Sequence, residues 1–116
     1  MDQLVFLVDA SSSILPSEWT DLQQFLVNAT RMFDVGAGRT RVGIIQYSTT
    51  ADIVYRLTDV QSHSHVASAI YRMQHEGGSA NLAEAMDLAL NQLFIVIDPR
   101  SPQRWPRAAK VYIFIY

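Results

Sequence analysis

The apolar residues fall into continuous runs at two places, and both runs predict central strands of a sheet. Residues 4–8 form the first run and residues 111–116 the second. A strand that is covered on both faces, as in a parallel sheet, is apolar at nearly every position. Residues 42–47 predict a third core strand. Residues 52–57, in which apolar and polar positions alternate in part, predict an antiparallel strand at the edge of the sheet.

Three stretches with helical spacing separate these strands. The first predicted helix begins at Pro16 and is terminated by Gly36 and Gly38, and its apolar stripe comprises Leu22, Phe25, Leu26, Ala29 and Phe33. The stripe of the second consists of Val66, Ala69, Ile70 and Met73. The third is predicted over residues 82–93, with an apolar face of Leu82, Ala85, Met86, Ala89, Leu90 and Leu93. A proline-rich connection, residues 98–106, leads to the last strand.

Strands that alternate with helices predict an α/β fold. We expect a doubly wound, mostly parallel sheet with one antiparallel edge strand and helices on both faces. In such sheets ligands bind beyond the carboxyl ends of the strands, at the point where the strand order reverses. That point is predicted to lie between the first and the last strand.

Composition narrows the classes of function. The chain has 116 residues, of which 49% are hydrophobic and 17% charged, so it suits one folded domain. A net charge of −2 gives no electrostatic reason to expect nucleic acid or an anionic membrane as a partner. There is no cysteine, and no apolar run approaches the roughly 20 residues of a membrane span.

Candidate chemistry lies directly after the first strand, in Asp9, Ser11 and Ser13. Alternate side chains of an extended segment project the same way, so one carboxylate and two hydroxyls can converge. Hard oxygen ligands of this kind suit an octahedral cation such as Mg²⁺. A simple loop with a helix cap uses the same residue types and is the alternative.

The pentapeptide Asp9-Ala10-Ser11-Ser12-Ser13 resembles the metal-ion-dependent adhesion site (MIDAS) of von Willebrand factor type A domains. Residues 40–48 resemble the second strand of that family, residues 77–86 its third metal-site loop with the following helix, and residues 110–116 the strand before its last metal-site Asp. No residue here can match that Asp. We therefore expect residues 1–116 to be the N-terminal two-thirds of such a Rossmann-like domain, within a larger multidomain chain.

The resemblance implies a binding module and not an enzyme. Its metal ligands would be Asp9, Ser11, Ser13 and Ser79, holding Mg²⁺ with Mn²⁺ as a substitute. An acidic side chain of a protein partner would complete the coordination. The implied partner is an extracellular matrix or cell-surface protein, collagen-like among others, and the implied location is extracellular, although no signal-peptide pattern precedes the first strand.

Other interpretations remain open at this point. The domain could be a structural interaction module without a metal, and a metal-dependent phosphohydrolase is a third class, for which no general base can be named. Ser79 could instead cap the helix that follows, and Gly77 and Gly78 either bring backbone close to an ion or mark a turn. His63, His65 and His75 are too few and too scattered for a zinc site, and the first two are expected in a solvated loop.

Overall fold

The computed structural model describes residues 2–36, 38–93 and 111–115. The strands in this part are β1 (Asp2–Asp9), β2 (Thr40–Tyr47), β3 (Ala51–Tyr55) and β4 (Val111–Ile115). The helices are α1 (Pro16–Arg31), α2 (His63–Arg72) and α3 (Leu82–Leu88), and α3 continues into a π-helical turn over Ala89–Leu93. None of these helices is long and apolar enough to cross a membrane. The predicted proline-rich connection and Tyr116 lie outside the described residues.

The four described strands form one mixed sheet in the order β3-β2-β1-β4. β1 lies parallel to both β2 and β4, while β3 pairs antiparallel with β2. The chain moves from β1 to one side to form β2 and later reaches the other side of β1 to form β4. The mostly parallel sheet with an antiparallel edge strand is therefore confirmed, and so is the reversal of strand order between the first and last strands.

The side chains of β1 alternate between two hydrophobic layers, one on each face of the sheet. Leu4, Phe6 and Val8 pack with residues of α1 and α2, and Val5 and Leu7 pack with residues of α3. Successive side chains of a strand point to opposite faces, so a strand that is apolar at every position needs a cover on each side. Full burial of one such side chain contributes about 1.5–3 kcal/mol. Helices on both faces of the sheet, as predicted, supply these covers.

Helix α1 begins at its predicted position but ends earlier than predicted. Pro16 is its first residue, and the carboxylate of Glu18 accepts a hydrogen bond of 2.9 Å from the N–H of the residue before the helix. The helix ends at Arg31, ahead of the glycines expected to terminate it. Val35 explains the difference, because it is buried and its backbone bridges to Thr40 at the start of β2. The chain must leave the helix to bring Val35 into the core.

The buried face of α1 also departs from the predicted apolar stripe. Phe25 was predicted on this face and is 49% exposed. Gln23 and Thr30 are buried there instead. The side-chain amide of Gln23 donates to the backbone oxygens of Ile70 (2.9 Å) and Met73 (3.2 Å), at the carboxyl end of α2. Carbonyl groups of a last helical turn lack partners within their own helix, so this buried amide is favourable.

The start of α2 corrects the expectation for two histidines. His63 and His65 lie in the first turn of the helix, not in a loop, although both are exposed as expected. Ser62 caps the helix, and its hydroxyl accepts a hydrogen bond from the N–H of His65 at 3.2 Å. Residues 63–65 are all exposed, so the apolar period that indicates the helix begins only at Val66.

The third helix is less regular than the uninterrupted helix predicted over residues 82–93. α-Helical geometry ends at Leu88, and the following turn is π-helical. Ala85 and Ala89 are buried against the sheet, whereas Met86 and Leu90, expected on the same face, are 44% and 58% exposed. The two alanines form the centre of the contact, which leaves the larger side chains at its margin.

Candidate metal centre

The candidate ligands follow the carboxyl end of the central strand. Asp9 is the last residue of β1, and strand alternation directs its side chain to the same face as Leu7. Ser11 and Ser13 lie in the turn between β1 and α1, where Ser11 is buried and Ser13 is exposed. The group therefore lies at the surface beyond the strand ends, where the strand order reverses and ligands bind in open α/β sheets.

Three short contacts hold this oxygen triad, Asp9, Ser11 and Ser13, together. The N–H of Ser11 donates to Asp9 Oδ1 at 2.8 Å, and the hydroxyl of Ser13 donates to Asp9 Oδ2 at 3.0 Å. The hydroxyl oxygens of Ser11 and Ser13 are 2.7 Å apart. The expected convergence is thus present, but its cause differs from the one predicted. β1 ends at Asp9, and a turn begun by the aspartate side chain brings the two serines back towards it.

The spacings within the triad suit an octahedral cation. Mg²⁺ takes oxygen ligands at about 2.0–2.1 Å, so neighbouring ligands at right angles lie about 2.9 Å apart. The oxygen pairs Ser13–Asp9 and Ser11–Ser13, at 3.0 and 2.7 Å, are close to that separation. One carboxylate and two hydroxyls are also the hard donors that Mg²⁺ prefers. The residues present therefore fit the ion, with the remaining positions left to water or to a further ligand.

A second segment holds the loop after β1 in place through its backbone. The N–H of Gly77 donates to the carbonyl of Ala10 at 2.9 Å. Ser12 and Gly78 are bonded reciprocally: the N–H of Ser12 donates to the carbonyl of Gly78 at 2.9 Å, and the N–H of Gly78 donates to the hydroxyl of Ser12 at 2.8 Å. Both glycines have positive φ, 78° and 85°, and no other described residue does. Ala10 and Ser12, for which positive φ would have been costly, avoid it.

We expect Gly78→Ala to lower the free energy of unfolding by about 2 kcal/mol. Left-handed backbone costs an alanine roughly 1–2 kcal/mol, and the added Cβ would lie 2.6 Å from Oγ1 of Thr49. Gly38→Ala is the matched control, because a Cβ there meets no atom within 4 Å. The control should be neutral or up to about 1 kcal/mol more stable. Urea unfolding measures both variants, and equal midpoints for the two would contradict the prediction.

Ser79, the fourth predicted ligand, does not hydrogen-bond to the triad. Its N–H donates to Oγ1 of Thr49 at 3.3 Å, and the two hydroxyl oxygens are 3.4 Å apart. It does not cap α3 either, since the side chain of Asn81 accepts the hydrogen bond from the N–H of Glu84 at 3.2 Å. The capping alternative for Ser79 is therefore wrong. Its hydroxyl is exposed on the residue next to Gly78, and a ligand role for it remains a prediction.

His75 contacts the site, although no sequence pattern assigns it there. Its Nε2 lies 2.8 Å from the carbonyl oxygen of Ser11. Its ring stacks on Trp19 in the first turn of α1, with ring centres 5.2 Å apart and an angle of 22° between the planes. Only its position could have indicated this contact: His75 lies two residues before Gly77 and Gly78, in the segment that meets the loop after β1.

Glu76 links the same segment to the end of β2. Its two carboxylate oxygens accept hydrogen bonds from the side-chain amide of Gln46 at 2.8 Å and from the hydroxyl of Ser48 at 3.1 Å. The amide of Gln46 also donates to the carbonyl of Gln74 at 2.6 Å. Since β1 and β2 are adjacent, segment 74–78 joins the ends of both strands around the triad.

The charge on Asp9 is not neutralised by a neighbouring side chain in the described part of the chain, where the ion pair present is Arg39–Asp34. Tyr47 is the register partner of Asp9. Burial, and to a smaller extent the charge of Asp9, raises the pKa of the Tyr47 phenol, which therefore stays neutral at physiological pH. The Asp9 carboxylate thus remains available to a cation.

The described residues contain no group of three or more His, Cys, Asp or Glu side chains that could hold a metal. The candidate ligands among these residues are thus one carboxylate, that of Asp9, and neutral hydroxyls. Such a ligand set leaves much of the charge of a divalent ion uncompensated, which favours an anionic ligand from outside.

Comparison with known proteins gives consistent matches. A family model of the von Willebrand factor type A domain matches residues 3–116. Human collagen alpha-1(XX) chain is 32% identical over 112 residues, 97% of this chain and 8% of the collagen chain. Human matrilin-4 is 33% identical over 110 residues, 93% of this chain and 18% of the matrilin. This chain thus spans less than a fifth of either relative.

A solved structure shows the same fold. Proximal thread matrix protein 1 from the mussel byssus, in a structure with a zinc-occupied MIDAS motif, superposes with a TM-score of 0.80 at 20% sequence identity. The superposition covers 98% of this chain and 28% of that chain. At this identity the likeness speaks for the fold, and the occupied motif is a property of the mussel protein.

Proposed function

The chain belongs to the von Willebrand factor type A domain family, and from this premise we propose that it is a metal-dependent binding module that attaches a matrix or cell-surface protein through Mg²⁺. The relatives are adhesion and matrix proteins, not enzymes, at the level of the family. Protein partners in the extracellular matrix follow from that kinship. The metal, the identity of the partner and the extracellular location of this chain are parts of the proposal.

The observation that carries the proposal is the oxygen triad at the end of β1. At the reversal of strand order, the oxygen pairs Ser13–Asp9 and Ser11–Ser13 lie 3.0 and 2.7 Å apart, close to the edge of a Mg²⁺ octahedron, and the Ser11 N–H is bonded to Asp9. The same side chains would hold the ion. The exposed hydroxyl of Ser79 would add a ligand, directly or through water, on exchanging its contact with Thr49.

A bound Mg²⁺ would supply a cationic position open to a carboxylate of the partner. Asp9 would anchor the ion with the single negative charge of the triad, and the two serines would orient it without reducing its charge further. An acidic side chain of the partner is therefore the expected incoming ligand, and a collagen-like protein is the proposed partner class. Mn²⁺ prefers similar oxygen ligands, so it can serve as a probe.

A metal-independent interaction domain is the second candidate, and one observation favours it. The triad is satisfied by its own hydrogen bonds, and Ser79 is bonded to Thr49, so the loop needs no ion to keep its shape. In that case the partner would bind to surface loops around the same end of the sheet.

Partner binding in the presence of a chelator separates the two candidates. We expect the protein to bind immobilised triple-helical collagen in Mg²⁺, to lose binding in EDTA and to recover it when Mg²⁺ is restored in excess. Titration with Mn²⁺ in the absence of collagen should show one site. Collagen binding that is equal in Mg²⁺ and EDTA would favour the metal-independent domain, and the absence of Mn²⁺ binding would refute the metal site.

A further inference from the structure

The imidazole of His75 contacts two residues of the segment that follows Asp9: Ser11, itself a proposed ligand, and Trp19 in α1. Its Nε2 lies 2.8 Å from the carbonyl oxygen of Ser11, and its ring stacks on Trp19. A carbonyl oxygen only accepts hydrogen bonds, so Nε2 must carry the proton and donate it. Ser13 lies between these two contacts along the chain. His75 therefore holds both ends of the short segment that contains the second hydroxyl.

The surroundings fix the position of the ring itself. Trp19 is 7% exposed and belongs to the larger core cluster, so the surface on which the imidazole stacks is rigid. Ser11 is 1% exposed. On the other side, the backbone of Gly77 is bonded to Ala10. The hydrogen bond from His75 to Ser11 is thus aimed by the core and by the adjoining loop.

We propose that His75 is a positioning residue for the metal centre, an inference that rests on the proposed function. By fixing the carbonyl of Ser11, His75 sets the orientation of the turn in which the Ser11 N–H meets Asp9 and the two serine hydroxyls meet each other. His75 does not contact the ion. It keeps the ligands in place before the ion arrives, so less order has to be gained on binding.

The test separates the hydrogen bond from the stacking with two variants. His75→Phe keeps an aromatic ring against Trp19 but cannot donate to Ser11, whereas His75→Gln can donate but does not stack. We expect His75→Phe to weaken Mn²⁺ binding about tenfold or more, as is usual for residues that support metal ligands, and to leave the urea midpoint unchanged. His75→Gln should recover most of the affinity. His65→Phe, at an exposed histidine on α2, is the control and should match the parent in Mn²⁺ affinity.

Amide hydrogen exchange of the metal-free protein gives a readout that is independent of the ion. The Ser11 N–H, which is bonded to Asp9, should exchange about tenfold faster in His75→Phe and near the parental rate in His75→Gln. Parental affinity and exchange in His75→Phe would overturn the inference. A lower urea midpoint in both variants, with no recovery by glutamine, would also overturn it, because His75 would then be a structural residue only. If the parent binds no Mn²⁺, the proposed function fails, and the exchange rates alone decide whether His75 positions the loop.

Discussion

Asp9→Asn is expected to lower Mn²⁺ and Mg²⁺ affinity by more than about a hundredfold while leaving the far-UV circular dichroism spectrum unchanged. Loss of a residue that only supports a ligand costs about 10–100-fold, so loss of the single charged ligand should exceed this. Asparagine keeps the size of the side chain and an oxygen that can accept the hydrogen bond from the Ser11 N–H. It removes the charge and puts an NH₂ group, which cannot bind a cation, in place of one carboxylate oxygen.

Asp21→Asn is the matched control for this loss of charge. Asp21 is exposed on α1, and the same substitution there should leave metal affinity within about twofold of the parent, because exposed charges at a distance are screened by salt. Isothermal titration with Mn²⁺ measures all three proteins. Equal affinities for Asp9→Asn and the parent would refute Asp9 as the anchor of the site.

Phe6→Ala is expected to lower the free energy of unfolding by about 3–5 kcal/mol. Phe6 is 1% exposed in the middle of β1, within the core cluster that also contains residues of α1 and α2. Removal of its ring deletes buried apolar surface and leaves a cavity that the neighbouring strands cannot close. Since the free energy of unfolding of a whole domain is about 5–15 kcal/mol, this one change removes a large part of it. Urea denaturation with an unchanged slope measures the loss.

Phe25→Ala is the matched control, because it removes the same side chain from an exposed position. Phe25 is 49% exposed, so Phe25→Ala should cost about 1 kcal/mol or less. By sequence alone both phenylalanines belong to the core. A similar shift of the urea midpoint in the two variants would contradict the burial described for α1 and β1.

The fold could be predicted wherever a pattern of apolar residues is local and repeats along the chain. Every residue of 4–8 is apolar, which requires cover on both faces, and β1 has it. The face of α1 could not be predicted fully, because the burial of Gln23 depends on carbonyl groups 47 and 50 residues away. The apolar stripe predicted from helical spacing includes Phe25 at this face instead. The early end of α1 likewise follows from the pairing of Val35 with Thr40, which no helical period reveals.

In the candidate site, too, the short-range contacts could be predicted and the long-range contacts could not. Asp9, Ser11 and Ser13 are within four residues of each other, and short-range turn geometry is enough to bring them together. The contact of Ser79 with Thr49 and that of His75 with Ser11 depend on how α2 and its following segment pack against the sheet. Residue type does not predict these two contacts, since a histidine or serine in a polar loop is usually solvated.

The hydrogen bonds that join the loop after β1 to segment 75–78 also bear on the order of folding. They connect residues 64 and 66 positions apart, from His75 to Ser11 and from Gly78 to Ser12. Contacts of such range form only after the intervening chain has been closed into a loop, later than helical turns and hairpins. The turn that forms the oxygen triad can close early, but the loop that carries it is fixed against segment 75–78 late. A cation that binds only this geometry stabilises the native state. It leaves the folding rate unchanged and lowers the unfolding rate.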